Sequence, residues 1–381
     1  MSKQSKQGKK YLIVSVIILT AVVAITAYSG RFNFRKDNSS GPEKSTSQER
    51  STNNPAMPQT PGKPDSKGMF HVWPGMSIQE ALDAAAAHPE HKTVKVHKGT
   101  YRPQQHGQAM IWLNSQHDGI TLLAEGEVIL TAENPEIADS SLASYPAVVN
   151  HVVYFGDGIS RSTVIRGFKI TGANHYVTRR ENPVIQPPVD LPRLRVKSFI
   201  HYADGGGIKT WGRCYPTIDR CEIYGNYVSP CAGAISIENC GYTDNALLIV
   251  NCIFRNNSSQ ITGSAIDLFG PGNRAEIRNC LFVGNVANRG INFFTFPKPG
   301  INEDHGSGAL TVFNGSHVTV DGCTFTGNYN GIDDAGTGST YTNSIFWNNN
   351  ATGGIAPRKR YEMDVRNAQK VSNCYLGGDT I

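Results

Sequence analysis

Between about residue 205 and residue 349 the chain alternates apolar and polar positions in short bursts, and the bursts recur. One recurring element is a run of small residues closed by an aliphatic: Gly206-Gly207-Ile208, Gly233-Ala234-Ile235, Ser264-Ala265-Ile266 and Gly308-Ala309-Leu310. The other begins at an apolar residue and ends three positions later in Asn: Ile223 to Asn226, Phe254 to Asn257, Phe282 to Asn285, Phe325 to Asn328 and Phe346 to Asn349. Cys221, Cys252, Cys280 and Cys323 stand two positions before that apolar residue, and Ser344 takes the place in the last copy. Ile218, Cys221 and Ile223 interleave with Asp219 and Glu222, a period of two that predicts short strands with one buried face.

Gly and Asn close the strands, as tight corners need residues that reach left-handed backbone conformations cheaply. No helical segment separates the copies, which excludes a βαβ array, and copies often under thirty residues apart are too short for four-stranded propeller blades of roughly 40–45 residues. Stacked coils of parallel strands fit. Equivalent residues would then stack at roughly 4.8 Å, with the Asn residues forming a ladder at one corner. The Cys residues would form a buried column of free thiols, poorly posed to bridge one another.

With these motifs the chain resembles the right-handed parallel β-helices of the pectin lyase-like superfamily. The small-residue and Phe-to-Asn repeats are similar to those of chlamydial polymorphic outer-membrane proteins and many bacterial surface proteins. The stretch from Asn343-Ser344-Ile345-Phe346 to Leu376-Gly377-Gly378 resembles the last coils of such secreted repeat proteins. The resemblance covers residues 69–381 and implies an all-β fold: a right-handed parallel β-helix solenoid of roughly 8–10 coils. It does not fix an activity, because one fold hosts many functions.

The front end supports the same architecture. Ser77 and Glu80 form a capping-box pattern ahead of an Ala-rich helix, and Thr93–Val96 reads as a strand. Such a helix would cap the first coil and cover strand edges that otherwise pair with another chain.

Further upstream, residues 1–10 form a basic tail and residues 11–28 an uncharged, mainly apolar segment. This segment exceeds the signal-peptide core of roughly 7–15 residues and just reaches spanning length. Lys3, Lys6, Lys9 and Lys10 place the N-terminus on the cytoplasmic side. A retained anchor and a cleaved signal, cut after Ser29, are both compatible with this pattern. Either puts the repeat domain outside the cytoplasm, in a bacterial-type cell envelope or secreted. Residues 29–68, rich in Ser, Thr, Pro and Asn, read as a disordered tether.

The net charge of +5 comes from the first 36 residues, which carry seven Lys and Arg and no acid; the remainder holds 29 basic and 31 acidic residues. No basic field of the kind that binds nucleic acid is present. Of the eight Cys, Cys214, Cys231 and Cys240 lie off the column, and a Cys214–Cys240 bridge is conceivable from their positions on adjacent coils.

Alternation assigns the residue after each inward aliphatic to the outer face: Lys209, Ser236, Asp267, Thr311 and Asp333. Two positions on, Trp211, Glu238, Phe269, Phe313 and Ala335 form a second outer row. Both rows are expected to be exposed. Trp211, Phe269 and Phe313 would then make an aromatic strip suited to stacking on sugar rings. Glu238 and Asp267, on adjacent coils, would stand roughly 5–7 Å apart, a separation that overlaps that of glycosidase carboxylates.

Lys209 would be an alternative catalytic residue, a base once its pKa is lowered, as the resemblance to superfamily lyases implies. The competing reading of the face is a salt-bridged, solvated surface.

Two long insertions interrupt the repeat. Residues 174–204 bring Arg179, Arg180, Arg193 and Arg195, a basic set suited to an acidic polysaccharide; residues 286–306 bring Arg289, Phe293, Asp304 and His305. Asp304-His305 and Ile332-Asp333-Asp334 match the signatures of alginate epimerases and polygalacturonases only in part. Ca²⁺ is the one cofactor suggested, at Asp267, Asp333 and Asp334, as acidic clusters hold it in pectate lyases. Two functions remain in view: a membrane-tethered or secreted protein that binds or cleaves polysaccharide, as lyase or glycosidase, and a non-catalytic adhesin or scaffold.

Overall fold

The computed structural model describes residues 62–175, 177, 203–228, 231–239, 241–287, 306–350 and 360–377. The segment at 11–28 lies outside them; among the described residues no helix is long and apolar enough to cross a membrane. Arg179, Arg180, Arg193 and Arg195, and the second insertion from 288 to 305, also lie outside.

The chain winds as a solenoid. One face is an eight-stranded sheet, one strand per coil, whose neighbours follow chain order from Gly107–Leu113 through Val149–Phe155, Ile208–Trp211, Ile235–Glu238, Ile266–Leu268, Leu310–Val312 and Ile332–Asp334 to Met363–Val365. The remaining faces merge into a 17-stranded sheet. Its strands stack in two rows, for example Ile223 on Phe254 on Phe282 on Phe325 on Phe346, and Ile218 on Ile249 on Ile277 on Val320 on Tyr341. Every named strand pairing is parallel, and chain-adjacent copies stay in register despite their different lengths.

Two corners explain how. The residue before each column position adopts a left-handed backbone: Arg220, Asn251, Asn279, Gly322, Asn343 and Asn373. A second left-handed residue precedes each ladder Asn: Gly225, Asn256, Gly284, Gly327 and Asn348. Gly and Asn tolerate this conformation, and their spacing leaves three-residue strands between the corners.

The Asn ladder then satisfies itself. The Asn257 side-chain amide donates to the Ile223 carbonyl at 2.8 Å and to Asn285 Oδ1 at 3.1 Å, while its own Oδ1 accepts from the Asn226 backbone N–H at 3.2 Å and from Asn226 Nδ2 at 3.1 Å. Asn285 and Asn328 repeat the pattern, and Asn349 ends the ladder on the Glu362 carboxylate. Beside it, Phe254, Phe282, Phe325 and Phe346 stack with ring centroids 4.7, 4.2 and 5.0 Å apart, the strand spacing. The column thiols are free, and Cys280 Sγ accepts from the Cys252 backbone N–H at 3.4 Å. Cys214 is buried with its Sγ directed at the Phe155 carbonyl, and Cys240, the partner considered for it, lies outside the described residues.

At the front end the helix Ile78–Ala86 lies over the first coil. Ser77 Oγ accepts from the Glu80 N–H at 3.2 Å, and Ile78, Ala81, Leu82 and Ala85 are buried against the strands Met69–Val72 and Thr93–Tyr101.

Candidate functional site

The eight-stranded face brings the expected outer row together in one column. Lys209 pairs with Ser236, Ser236 with Asp267, Asp267 with Thr311, and Thr311 with Asp333; Trp211 pairs with Glu238 in the second row. The register matches the reading of the sequence. The exposure does not: Lys209, Ser236, Asp267 and Thr311 are 0% exposed, and Glu238 is 8% exposed.

The cover is visible in the backbone. Four residues before each inward aliphatic stand Asp204, Cys231 and Thr262, each followed by a left-handed residue: Gly205, Ala232 and Gly263. This kink folds the chain back across the column. A methyl group on Gly205 would meet Ser236 Cβ at 3.0 Å, and one on Gly263 would meet Asp267 Cβ at 2.7 Å. The turns form their own ladder, with Ala232 N–H donating to the Thr262 carbonyl at 3.1 Å and Gly205 N–H to the Ala232 carbonyl at 3.1 Å.

Under that cover lies one cation among three carboxylates. The Lys209 ammonium contacts the Glu238 carboxylate and donates to Ser236 Oγ at 3.2 Å, with the Trp211 ring centroid 5.8 Å away. Burial pulls the Lys209 pKa down, but Glu238 and Asp204 raise it by more, so the net shift is upward. Lys209 is therefore held as an ammonium by its acidic neighbours.

Asp204 and Asp267 are both wholly buried, and neither carboxylate completes a hydrogen bond. The Cys231 backbone near Asp204 and the Ser236 hydroxyl near Asp267 ease the two charges without reaching hydrogen-bond geometry. Burial, offset in part by Lys209, raises Asp204 well above the usual carboxylate range and Asp267 to about 8. Cys231 is buried beside them, and its thiol is pushed far up by burial and by both carboxylates. Ligand atoms of Asp204, Cys231 and Asp267 all lie within 4.8 Å of one another.

On the preceding coil His151 faces the same region. Its Nδ1 donates to the Gly205 carbonyl at 2.9 Å, and its Nε2 lies 3.0 Å from the Gln108 amide nitrogen, whose Oε1 accepts from Asn150. These partners fix a neutral imidazole, and burial with nearby Lys209 lowers its pKa to about 3.

Residues 195–298 match the family model described as a right-handed beta helix region. The solenoid is a right-handed parallel β-helix. No curated protein and no solved structure matches the chain closely enough to be compared with it.

Three further expectations are corrected on the β-helix. Trp211 is 2% exposed, clustered with Ala109 and Tyr154 instead of lying on an open strip. Phe269 and Phe313 are half-buried and meet each other edge-on at 5.1 Å. Asp267, Asp333 and Asp334 do not gather into a calcium site. Asp333 accepts from Gly306 N–H at 2.6 Å and from Tyr361 Oη at 2.6 Å, and Asp334 from Gly336 N–H at 2.7 Å and Tyr341 Oη at 2.6 Å.

The sequence reading missed Asp204 and Cys231. The signal was present at the fourth position before the aliphatic, but its importance depends on the left-handed turn that follows it. A cavity of about 610 Å³ opens nearer the front of the β-helix, lined by Arg102, Gln104, Gln105, Met110 and Trp112 among others. Trp112 pairs with Tyr154 and Tyr154 with Lys209, so the cavity wall and the buried cluster share one column.

Proposed function

We propose that this β-helix acts on a polysaccharide from outside the cytoplasm, with Lys209, Glu238, Asp267 and Asp204 as its reaction centre. The observation that carries this reading is the burial of one ammonium among three carboxylates on successive coils. Perturbed titratable groups gathered in one place are the physical mark of a working site. Glu238, the least buried of the four, is the proton acceptor in this reading, and Lys209 fixes its position. The cavity beside Trp112, Arg102 and Gln104 offers a sugar ring an aromatic wall and hydrogen-bonding groups in line with that centre. The uncharged segment 11–28 is the tether or signal in this proposal.

A second reading has its own support. The described residues leave Lys209 and Asp267 closed from solvent, which suits a non-catalytic scaffold or adhesin whose polar cluster only fixes coil register. Incubation of the full chain with uronate-containing and neutral polysaccharides, followed by reducing-end and unsaturated-product assays, separates the two. Turnover lost in Glu238→Gln with the fold retained supports the enzyme. Absence of both products and of glycan binding across the panel rejects it.

A further inference from the structure

We propose that Asp204, Cys231 and Asp267 together hold a divalent transition metal, with zinc the best match to the donor set. Its catalytic consequence would rest on the polysaccharide reading above, but the binding itself does not.

Two carboxylates at 0% exposure present four oxygens, none of which meets a hydrogen-bond partner. A buried polar group left unpaired costs roughly 1–3 kcal/mol, more when charged, so an arrangement with four such atoms is incomplete as a protein-only structure. A single proton shared between the two acids would satisfy at most one pair of these oxygens. A cation between the two groups satisfies the oxygens at once.

The third donor selects the cation. Cys231 Sγ belongs to the same 4.8 Å cluster. Calcium and magnesium take oxygen ligands, and calcium needs about 6–8 of them, so a thiol in the set argues against both. Zinc binds carboxylate oxygen and thiolate sulfur together, usually with four ligands in all. Three protein donors leave one position open, the arrangement of catalytic zinc sites. Thr262, on the coil after Cys231, brings its hydroxyl beside the Cys231 thiol, a further oxygen next to the cluster.

The charges are consistent. Lys209 neutralises Glu238 through direct contact, leaving two carboxylates and a thiol to face a dication. On binding, each of the three ligands yields any proton it carries to solvent, so affinity rises with pH. The backbone also supports the assignment. The left-handed residues after Asp204 and Cys231 turn these side chains over the column where Asp267 stands, and Gly205 leaves no room for a Cβ at that turn.

The test uses the full-length chain, purified without chelator and then equilibrated with zinc chloride or cobalt chloride. Elemental analysis after exhaustive dialysis is expected to show about one metal per chain. The cobalt form is expected to show a near-ultraviolet thiolate-to-metal charge-transfer band. Cys231→Ser abolishes the band, Asp204→Asn and Asp267→Asn lower the metal content at least tenfold, and the column variant Cys221→Ser leaves both intact. Absence of bound metal and of the charge-transfer band in the unmodified chain overturns the proposal, whatever the variants do. So does a band that survives Cys231→Ser. Zinc bound at this stoichiometry with neither glycan turnover nor glycan binding would remove the polysaccharide reading and keep the metal site.

Discussion

Lys209 and Glu238 meet although they are not register partners: Lys209 stands opposite Ser236, and Glu238 stands opposite Trp211 on the next coil. The lysine reaches diagonally along the sheet, donates to Ser236 on the way and ends on the carboxylate. A long, flexible side chain with three donors makes this reach possible; a shorter cation would not span it.

Breaking that pair leaves a wholly buried ammonium beside two other acids. Glu238→Gln is therefore expected to destabilise the domain by about 3–5 kcal/mol. The double variant Lys209→Met with Glu238→Gln removes both charges and should recover much of the loss. Urea unfolding of the single and double variants measures the difference, and a double variant no more stable than Glu238→Gln would contradict the account.

The ladder amides are coupled along the solenoid. Asn285 donates to Phe254 O and Asn328 Oδ1, and accepts from Asn257. Asn285→Ala breaks several buried hydrogen bonds at once and is expected to cost at least about 2–3 kcal/mol. Its effect should combine non-additively with Asn257→Ala, since each leaves the other unpaired. Denaturant midpoints that add independently would show that the ladder is not one network.

The column thiols sit in the interior, where Cys280 and Cys323 accept from the backbone N–H of Cys252 and Cys280 on the preceding coil. Cys221, Cys252, Cys280 and Cys323 should resist thiol reagents in the native state and react on denaturation. Cys280→Ser should fold, because Ser344 already fills the equivalent place and accepts from the Cys323 N–H at 3.1 Å. Rapid native labelling of Cys280 would contradict this burial.

His151 sets an acid limit. Its folded pKa of about 3 lies below the unfolded value of 6.5, because burial and Lys209 both disfavour the charged ring. The unfolded state thus binds more protons between these values, and stability falls as pH drops through 6.5 toward 3. The slope is up to about 1.4 kcal/mol per pH unit. Replacing His151 with Asn should flatten the acid limb relative to the parent chain, read as melting temperature against pH. An unchanged limb would assign acid sensitivity to other groups.

Arg220 occupies a corner that Asn251, Asn279, Gly322, Asn343 and Asn373 take in the later described coils. A left-handed backbone costs an ordinary residue roughly 1–2 kcal/mol. Arg220→Asn is expected to raise the unfolding midpoint by about 1 kcal/mol of stability, offset slightly by the loss of its 3.9 Å contact with Asp219. A lower midpoint would show that the contact outweighs the strain.

Much of this β-helix was legible because its determinants are local. Ile, Phe and Cys at alternate positions specify strands with an inner face. Asn226, Asn257, Asn285, Asn328 and Asn349 recur at one place because each completes the hydrogen bonds of the next. The register of Lys209, Ser236, Asp267, Thr311 and Asp333 follows from a period-two rule that needs no coordinates.

Solvent exposure was decided elsewhere. Alternation says which side of a strand a residue faces, not what lies over that side. Asp204 and Cys231 look like loop residues in the sequence, and only the left-handed turns at Gly205 and Ala232 carry them across the column. That closure turns a supposed open row into a buried cluster of charge, because the dielectric and the partners of a side chain depend on chain segments about thirty residues away in sequence and one coil away in space.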